Sequence, residues 1–340
     1  MWLFRTAAPL TQTVRCFLPM EKYTLHHGDC LTVLRSFQPE TVDLIFTSPP
    51  YNCRKDYGDF DDMLPWPEYY RWFGEVLKEL YRVLVPGGVI AVNVPGVVRW
   101  QANHRHADTW SDFDPSYKTH RDGEQVIGKG RIEPVGFQIF EMMRQNDPHV
   151  REPIIWVKGS EGNAICSDYR MGCDSDPYMR PAHEFILLGS KSRWFHRGGT
   201  GRRGGDAVPL LDETKDVWFI TPDRDRLHPA IFPVELPRRL IKLFTHAADS
   251  VVLDPFLGLG SSGVAAAELN REFIGIELNK KFLNKADHRI YSVAAQGRMF
   301  TETHLTPLAL DKGDSAAPEG DTSPEVLSAG QAGSTPALCQ

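Results

Sequence analysis

The chain of 340 residues is 41% hydrophobic and 24% charged, which is typical of a globular protein with one large or two ordinary domains. Its net charge of -6 gives no overall attraction for a polyanion, so a nucleic-acid surface would have to come from local basic patches. The six cysteines form no CxxC pair, which disfavours a zinc site and a disulfide framework and indicates a reducing, cytoplasmic setting. No stretch reaches the length of a membrane span.

The two ends of the chain differ in composition from the middle. Residues 1–19 are predicted to be a flexible extension, in which Pro9 and polar residues interrupt any signal-peptide core. Patterned sequence begins at Met20, so we expect this residue to be an alternative translation start. Residues 306–340 are rich in Ser, Gly, Ala, Pro and acidic residues, which predicts a disordered tail. The folded domain is therefore expected over residues 20–305.

Strand-like and helix-like segments alternate through this domain. Short runs rich in Val and Ile are typical of buried parallel strands, and they occur at 42–46, 89–94, 153–157, 184–189, 251–254 and 273–277. Apolar residues recur at spacings of three and four over 67–85 and 233–246, which predicts two helices. This alternation favours an α/β fold with a doubly wound, mostly parallel sheet.

The segment TSPPYN, residues 47–52, directly follows the first of these strands. Two successive prolines cannot extend a hydrogen-bonded ladder, and they keep the chain stiff and extended. We therefore interpret the segment as a rigid shelf that presents Ser48, a proline carbonyl and the ring of Tyr51. The alternative is a plain strand end, in which Ser48 bonds the local backbone and Tyr51 packs in the core.

Two polar segments, 97–132 and 191–227, interrupt the alternation, and long insertions of this kind are often functional. The second contains KSRWFHRGGTGRRGG, where basic residues surround aromatic ones. Basic groups match phosphates and aromatic rings can stack on bases, so nucleic acid is the natural partner. A solvated loop would have the same composition, and charge alone does not separate the two.

The glycines at 258, 260 and 263 spell GxGxxG between a strand and an Ala-rich helix, and Glu277 ends the next strand. Glycines allow a tight turn close to a ligand, and the acidic residue can accept hydrogen bonds from ribose hydroxyls, so we predict a nucleoside site. An NAD-dependent dehydrogenase has the same pattern. The anionic Asp254 just before the turn disfavours a pyrophosphate, however, and favours a cationic ligand such as S-adenosylmethionine.

Seven segments in one order carry a family resemblance over roughly residues 22–292. They are HHGDCLTVL, TSPPY, LVPGGVIAV, IIWVKG, AHEFILLGSK, HPAIFPVELPRRLI and the glycine-rich turn. In this order they resemble the amino-methylating DNA methyltransferases of the permuted (beta) class, in which the catalytic motif precedes the cofactor motif. The resemblance implies a seven-stranded Rossmann-like sheet, S-adenosylmethionine as cofactor and double-stranded DNA as substrate. It also implies that the target base is flipped out of the helix.

The resemblance assigns roles to individual residues. The shelf would hold the target amino group and stack on the flipped base, through Ser48, Pro49, Pro50 and Tyr51. The residues implied in cofactor binding are Asp29, Cys30, Thr47, His228, Pro229, Phe232, Asp254, Pro255, Phe256, Gly258, Gly260, Ser261, Glu277 and Leu278. Asp29 alternatively caps the following helix. The residues expected to contact DNA are Asn52, Arg54, Lys55, Lys191, Arg193, Trp194, His196, Arg197, Arg202 and Arg203.

Target recognition is expected in 191–227, with 97–132 as a second clamp on the DNA. His104, His106 and Asp108 in the latter segment lack standard ligand spacing, so we predict no metal site. Serine at the first motif position resembles the N4-cytosine branch, and N6-adenine methylation is the alternative. The sequence has no Pro-Cys pair, which disfavours carbon-5 methylation of cytosine.

The resemblance further implies a site-specific enzyme of a restriction-modification system, acting as a monomer or homodimer beside a cognate endonuclease. A DNA-binding module with a degenerate active site is the remaining alternative. The complete catalytic and cofactor motifs argue against this module.

Overall fold

The computed structural model describes residues 12–14, 22–53, 55–99, 132–165, 181–194, 214–223, 225, 227, 230–247 and 249–303. The strands are β1 Gln12–Val14, β2 Tyr23–His27, β3 Val42–Thr47, β4 Leu84–Val94, β5 Val98–Arg99, β6 Ile132–Glu133, β7 Val150–Ser160, β8 Asn163–Ala164, β9 His183–Ser190, β10 Val217–Ile220, β11 Val251–Asp254 and β12 Glu272–Glu277. The helices are α1 Cys30–Leu34, α2 Trp66–Val83, α3 Val135–Asn146, α4 Glu235–Phe244, α5 Ser261–Glu268 and α6 Lys280–Thr303.

One large sheet organises the fold, with the strand order β1-β2-β12-β11-β3-β4-β9-β7-β10 and β8 paired to β7. The strands β2, β12, β11, β3 and β4 are mutually parallel. Strand β9 runs antiparallel to both of its neighbours, β4 and β7, while β10 is parallel to β7. The predicted α/β class with a mostly parallel Rossmann-like core is confirmed.

The large sheet contains ten strands from the described residues rather than the predicted seven, and β5 and β6 pair in a separate two-stranded sheet. Strands β1 and β8 are only three and two residues long, too short to give a periodic signal. Strand β1 lies within the predicted N-terminal extension and pairs antiparallel with β2. The predicted tail, 306–340, lies outside the described residues.

Helices cover both faces of the sheet, as a doubly wound fold requires. Leu44 and Phe46 of β3 join a hydrophobic cluster with residues of α4, α5 and α6. Ile45, between them, points to the other face and joins a second cluster with α1, α2 and α3. Among the described helices, none is long and apolar enough to cross a membrane.

Strand directions decide which loops meet at the site. The carboxyl ends of β3, β4, β7, β11 and β12 lie at one edge of the sheet, together with the amino end of the reversed strand β9. We call this side the carboxyl edge. In open α/β sheets, ligands bind at the carboxyl ends of the strands.

Candidate active site

A cavity opens at the carboxyl edge, with about 900 Å³ of empty space that extends into the open solvent. It is lined by the turns that follow β2, β3, β11 and β12 and by residues 230–232. Most of the predicted site residues that the structure describes meet here, namely Asp29, Cys30, Ser48, Pro50, Tyr51, Phe232, Pro255, Phe256, Gly258, Ser261, Glu277 and Leu278. The catalytic and cofactor motifs, distant in sequence, therefore share one cavity.

The TSPPY shelf is held rigidly at the cavity wall. The hydroxyl oxygens of Ser48 and Tyr51 are 2.7 Å apart. The Tyr69 hydroxyl donates to the Pro50 carbonyl at 2.8 Å. Pro49, unlike Ser48, Pro50 and Tyr51, is buried and is not among the residues that line the cavity. Burial raises the pKa of Tyr51 well above its usual range, so its phenol keeps its proton.

The loop after the shelf is fixed by one buried carboxylate. Asp62 accepts hydrogen bonds from the backbone N–H groups of Asn52, Cys53 and Lys55, at 2.7, 3.0 and 2.8 Å. Asn52 is buried with a positive φ of 56°, and its amide donates to the Leu64 carbonyl. The predicted DNA contact Asn52 thus faces the protein interior, whereas the side chain of Lys55 is exposed.

A polar network lies behind Ser48 and Tyr51, and the sequence analysis missed it. Asn93 on β4 donates to the Tyr51 hydroxyl and to Oε2 of Glu184, both at 2.7 Å. Glu184 on β9 also accepts from the Tyr51 hydroxyl at 3.1 Å and pairs with Lys158 on β7 at 2.5 Å. The available signal was a polar side chain in strand runs that are otherwise apolar.

The glycine-rich turn brings β11 and β12 together around the cavity. Gly258 and Gly260 have positive φ values of 55° and 78°, which explains the need for glycine at both positions. Gly260 does not line the cavity, and a Cβ atom there would lie 2.9 Å from the Cβ of Ala286 on α6. Gly263 likewise allows α5 to pack closely, since a Cβ atom would lie 2.3 Å from Ile290.

Glu277 is the principal carboxylate of the cavity. Its Oε2 accepts from the backbone N–H of Gly258 at 2.7 Å, and its Oε1 accepts from that of Asn279 at 2.8 Å. Burial raises the pKa of Glu277 to about 7, despite these hydrogen bonds. A carboxylate has about four lone-pair sites, so Glu277 can still accept a hydrogen bond from a ligand hydroxyl.

Thr47 and Asp254 do not line the cavity, contrary to their predicted place in cofactor binding. Both are fully buried. Asp254 accepts from the hydroxyls of Thr47 and Ser262, at 2.7 and 2.5 Å, and from the backbone N–H of Phe256 at 3.1 Å. Burial raises the pKa of Asp254 to about 6. Its carboxylate lies beneath the turn and does not face the cavity.

Asp29 takes the capping position that was the alternative interpretation of this residue. Its Oδ1 accepts from the backbone N–H and the hydroxyl of Thr32, both at 2.9 Å, at the start of α1. It nevertheless stays exposed in the cavity wall. Burial raises the pKa of Cys53 to about 12 and that of Cys30 far above its usual range, so neither thiol is a nucleophile near neutral pH.

Aromatic and apolar side chains form much of the remaining wall. The rings of Trp72 and Phe256 lie 5.7 Å apart. The sequence analysis missed several lining residues, namely Tyr57, Phe60, Trp72, Asn279 and Phe282. Trp72 lies on a predicted helix and Asn279 directly follows a predicted site residue, but only the fold turns them towards the cavity. Ser261 adds a buried hydroxyl that has no hydrogen-bond partner among the described residues.

The lining suits the chemistry of S-adenosylmethionine. Apolar rings can pack on an adenine base, the Glu277 carboxylate matches ribose hydroxyls, and the unpartnered Ser261 hydroxyl is ready for a polar ligand group. Within the described residues, no group of His, Cys, Asp or Glu is arranged to hold a metal ion.

Three predicted DNA contacts lie far from this cavity. The backbone N–H of Lys191 donates to the Gly88 carbonyl, and its ammonium donates to the carbonyls of Arg82 and Leu84. Gly88 and Asn93 are five residues apart on β4, which is roughly 17 Å at about 3.3 Å per residue. Because β9 is antiparallel to β4, its carboxyl end leads away from the carboxyl edge, and Lys191, Arg193 and Trp194 follow it to the opposite side.

The side chains that follow β9 have structural partners there. Arg151 stacks over the ring of Trp194 at 4.0 Å, and the same ring packs near Phe244 on α4. The remaining predicted residues lie outside the described part of the chain, and they are Arg54, His104, His106, Asp108, His196, Arg197, Arg202, Arg203, His228 and Pro229.

The fold and the cavity define a methyltransferase of the Rossmann-like type, and comparison with known proteins identifies the family. Residues 42–288 match the DNA methylase family N6_N4_Mtase, so the chain belongs to this family. It is 27% identical over 286 residues to the type II methyltransferase M.BglII of Bacillus subtilis, covering 77% of this chain and 67% of that protein. It is 28% identical to M.XycI of Xanthomonas campestris pv. cyanopsidis, covering 78% and 87%.

Solved structures show the same fold. TTHA0409 of Thermus thermophilus, in complex with S-adenosyl-L-methionine, superposes with a TM-score of 0.56 at 25% identity, covering 79% of this chain and 93% of that chain. The PvuII DNA methyltransferase (cytosine-N4-specific) gives a TM-score of 0.56 at 20% identity, covering 81% and 92%. The predicted family and cofactor are confirmed: the protein is an amino-DNA methyltransferase that uses S-adenosylmethionine and acts on DNA.

Proposed function

We propose that this enzyme methylates the N4 amino group of cytosine at a specific site in double-stranded DNA. The observation that carries this proposal is the position of Ser48, whose hydroxyl lies in the cavity wall at the start of the TSPPY shelf. Serine in this position is typical of the N4-cytosine branch of the family. An aspartate would be typical of the N6-adenine branch.

The amino group of cytosine is a poor nucleophile, because its lone pair is delocalised into the ring. Hydrogen bonds from this amino group to the Ser48 hydroxyl and to the Pro49 carbonyl would favour a pyramidal nitrogen and direct its lone pair into the cavity. When bound, S-adenosylmethionine supplies an electrophilic methyl group. The protein contributes positioning and a fixed polar environment, which together can lower such a barrier substantially.

The cofactor would be held on the other side of the cavity from the shelf. Glu277 is suited to the ribose hydroxyls, and the aromatic rings of Phe256 and Trp72 form a wall for the adenine. Asp29, which stays exposed in the wall, is suited to accept a hydrogen bond from the adenine amino group.

The target base must leave the duplex to reach Ser48. Tyr51 lies beside Ser48, and its ring is the candidate surface on which the flipped base would stack. Lys55 follows the shelf with an exposed side chain and is suited to a backbone phosphate. Loops that start or end at the carboxyl edge, rather than at the opposite edge, are suited to target recognition.

The relatives are type II methyltransferases, which supports a role in restriction-modification, beside an endonuclease that cuts the same site. We further propose that the enzyme works in the cytoplasm, as a monomer or homodimer. Copurification with the product of a neighbouring gene tests the partnership with an endonuclease, and light scattering of the pure enzyme tests the oligomeric state.

The base itself is tested by expressing the enzyme from a plasmid in a host without DNA methylation. The plasmid is digested to nucleosides, which are identified by mass, and the modified positions are mapped by sequencing. We expect N4-methylcytosine at one recurring sequence. N6-methyladenine alone would overturn the choice of base, and an unmodified plasmid with folded, cofactor-binding enzyme would overturn the activity. A plasmid that encodes the Ser48→Ala enzyme serves as the matched control, and its DNA should stay unmodified.

A further inference from the structure

The network behind Ser48 contains more polar groups than a structural wall requires. Asn93 is 1% exposed and Glu184 is 8% exposed, so both are shielded from water by the sheet. Buried polar groups are costly unless they are fully hydrogen-bonded. The positions of the donors and acceptors in this network therefore decide which hydrogen bonds each group can make.

Glu184 determines which group donates and which accepts in each hydrogen bond of the network. Its Oε1 is paired with the ammonium of Lys158 at 2.5 Å. An ionised carboxylate can only accept hydrogen bonds, so the Tyr51 hydroxyl, 3.1 Å from Oε2, must donate its single hydrogen to Glu184. The amide of Asn93 donates to the same carboxylate oxygen and to the Tyr51 oxygen, both at 2.7 Å.

The same rule fixes the hydrogen of Ser48. Tyr51 has no second hydrogen to give, so in its 2.7 Å contact with Ser48 the serine must be the donor. This contact uses the only hydrogen of the Ser48 hydroxyl. What Ser48 presents to the cavity is then an acceptor oxygen, and not an O–H group; the Asn93 amide approaches the same oxygen at 3.5 Å.

We propose that Glu184 is a positioning residue that makes Ser48 a hydrogen-bond acceptor towards the target base, with Lys158 as the ion-pair partner of the carboxylate. Such a site accepts a base that carries an exocyclic amino group and opposes one that carries a carbonyl in the same place. The inference rests on the proposed contact between Ser48 and the target amino group, and it is independent of whether the base is cytosine or adenine.

The test compares Glu184→Gln and Tyr51→Phe with the unmodified enzyme, on a duplex that carries the mapped target site. Glutamine has the shape of glutamate but can donate a hydrogen bond. The hydrogen bonds from residue 184 through Tyr51 to Ser48 can then reverse their direction, and Ser48 can present its hydrogen to the cavity. Phenylalanine removes the link between Glu184 and Ser48. Glu268→Gln is the matched control, because Glu268 pairs with Arg238 on the surface and lies away from the cavity.

Two quantities are measured for each enzyme. The first is kcat, which we expect to fall about 100-fold in Glu184→Gln while KM for S-adenosylmethionine stays unchanged. The second is the ratio of affinities for the target duplex and for a duplex in which the target amino group is replaced by a carbonyl, as in deoxyuridine for deoxycytidine or deoxyinosine for deoxyadenosine. We expect this ratio to fall at least about 10-fold in both variants, because Ser48 no longer prefers a base that donates a hydrogen bond to it.

A purely structural role for Glu184 would lower the stability or the general affinity without changing the preference for amino over carbonyl. The inference is overturned if the unmodified enzyme methylates DNA and both variants keep its kcat and its preference. The absence of methylation by the unmodified enzyme would instead be a failure of the proposed function. Circular dichroism confirms that each variant is folded, and Tyr51→Phe still decides the question if Glu184→Gln does not fold.

Discussion

The hydroxyl of Thr47 donates a 2.7 Å hydrogen bond to Oδ1 of Asp254, a residue 207 positions later in the chain. Thr47 ends β3 and is the first residue of the TSPPY shelf, while Asp254 ends β11 and is followed by the glycine-rich turn. The two strands are neighbours in the sheet, so this bond joins the base of the catalytic motif to the base of the cofactor motif. It holds the two halves of the cavity at a fixed separation.

Replacing Thr47 by valine should destabilise the protein. Valine keeps the shape of threonine but leaves a fully buried carboxylate oxygen of Asp254 with one partner fewer. The free energy of unfolding should fall by about 1–3 kcal/mol in urea denaturation. Thr41→Val is the control, since the hydroxyl of Thr41 bonds the Gln38 carbonyl at the exposed surface. Equal stability of the two variants would show that the bond between the motifs contributes little.

Ser48→Ala should abolish most of the methylation without disrupting either binding step. The substitution removes one acceptor for the target amino group, which should lower kcat at least about 100-fold. Dissociation constants for DNA and for S-adenosylmethionine should change less than about threefold, because the shelf backbone is held by other groups such as Tyr69. Ser36→Ala is the control, as the Ser36 hydroxyl bonds the Val33 carbonyl away from the cavity. Equal kcat in Ser48→Ala would remove the serine from the chemistry.

Motifs at strand ends were predictable from the sequence for a physical reason. Apolar runs predict buried strands, and the carboxyl ends of parallel strands meet at one edge, so TSPPY and the glycine-rich turn had to converge. The shared cavity that contains Ser48, Phe256 and Glu277 follows from these local signals.

The direction of β9 could not be predicted from the sequence in the same way, because an apolar run predicts a buried strand but not whether that strand is parallel or antiparallel to its neighbours. Its reversal brings Glu184 next to Tyr51 and carries Lys191 to the opposite edge. The network at the catalytic wall was therefore missed, and the basic residues after β9 were assigned to DNA. The burial of Asp254 was missed for a similar reason, since only the tertiary structure shows that its carboxylate turns inward.

The two edges of the sheet should respond differently to the loss of a lysine. Lys55→Ala removes an exposed charge beside the shelf, so DNA affinity should fall a few-fold and the slope of its salt dependence should decrease by about one. Lys191→Met removes an ammonium that bonds two main-chain carbonyls and pairs with Glu40 at 3.1 Å, so it should lower the stability and leave DNA affinity unchanged. Fluorescence anisotropy at several salt concentrations measures both. The opposite result would place the DNA on the other edge.

The affinity for S-adenosylmethionine should depend on pH through Glu277. Burial raises the pKa of this carboxyl to about 7 in the free protein, whereas two ribose hydroxyls donate more strongly to its ionised form, which accepts on both oxygens. Binding should therefore favour the carboxylate and lower its pKa. The dissociation constant should be constant above about pH 8 and should increase as the pH falls through 7, approaching tenfold per unit well below it. Calorimetric titrations between pH 5.5 and 8.5 measure this change.

Glu277→Gln is the control that assigns the pH dependence to this residue. The glutamine variant should bind S-adenosylmethionine more weakly at pH 8, and its affinity should vary little around pH 7, because the titrating group is gone. Asp254, with a pKa raised to about 6, is also in the measured range, but its carboxylate lies beneath the turn and bonds Thr47 and Ser262 rather than the cavity. If the pH dependence survives in Glu277→Gln, the cofactor does not rely on this carboxylate, and a titration of Asp254 acting through the turn would become the explanation.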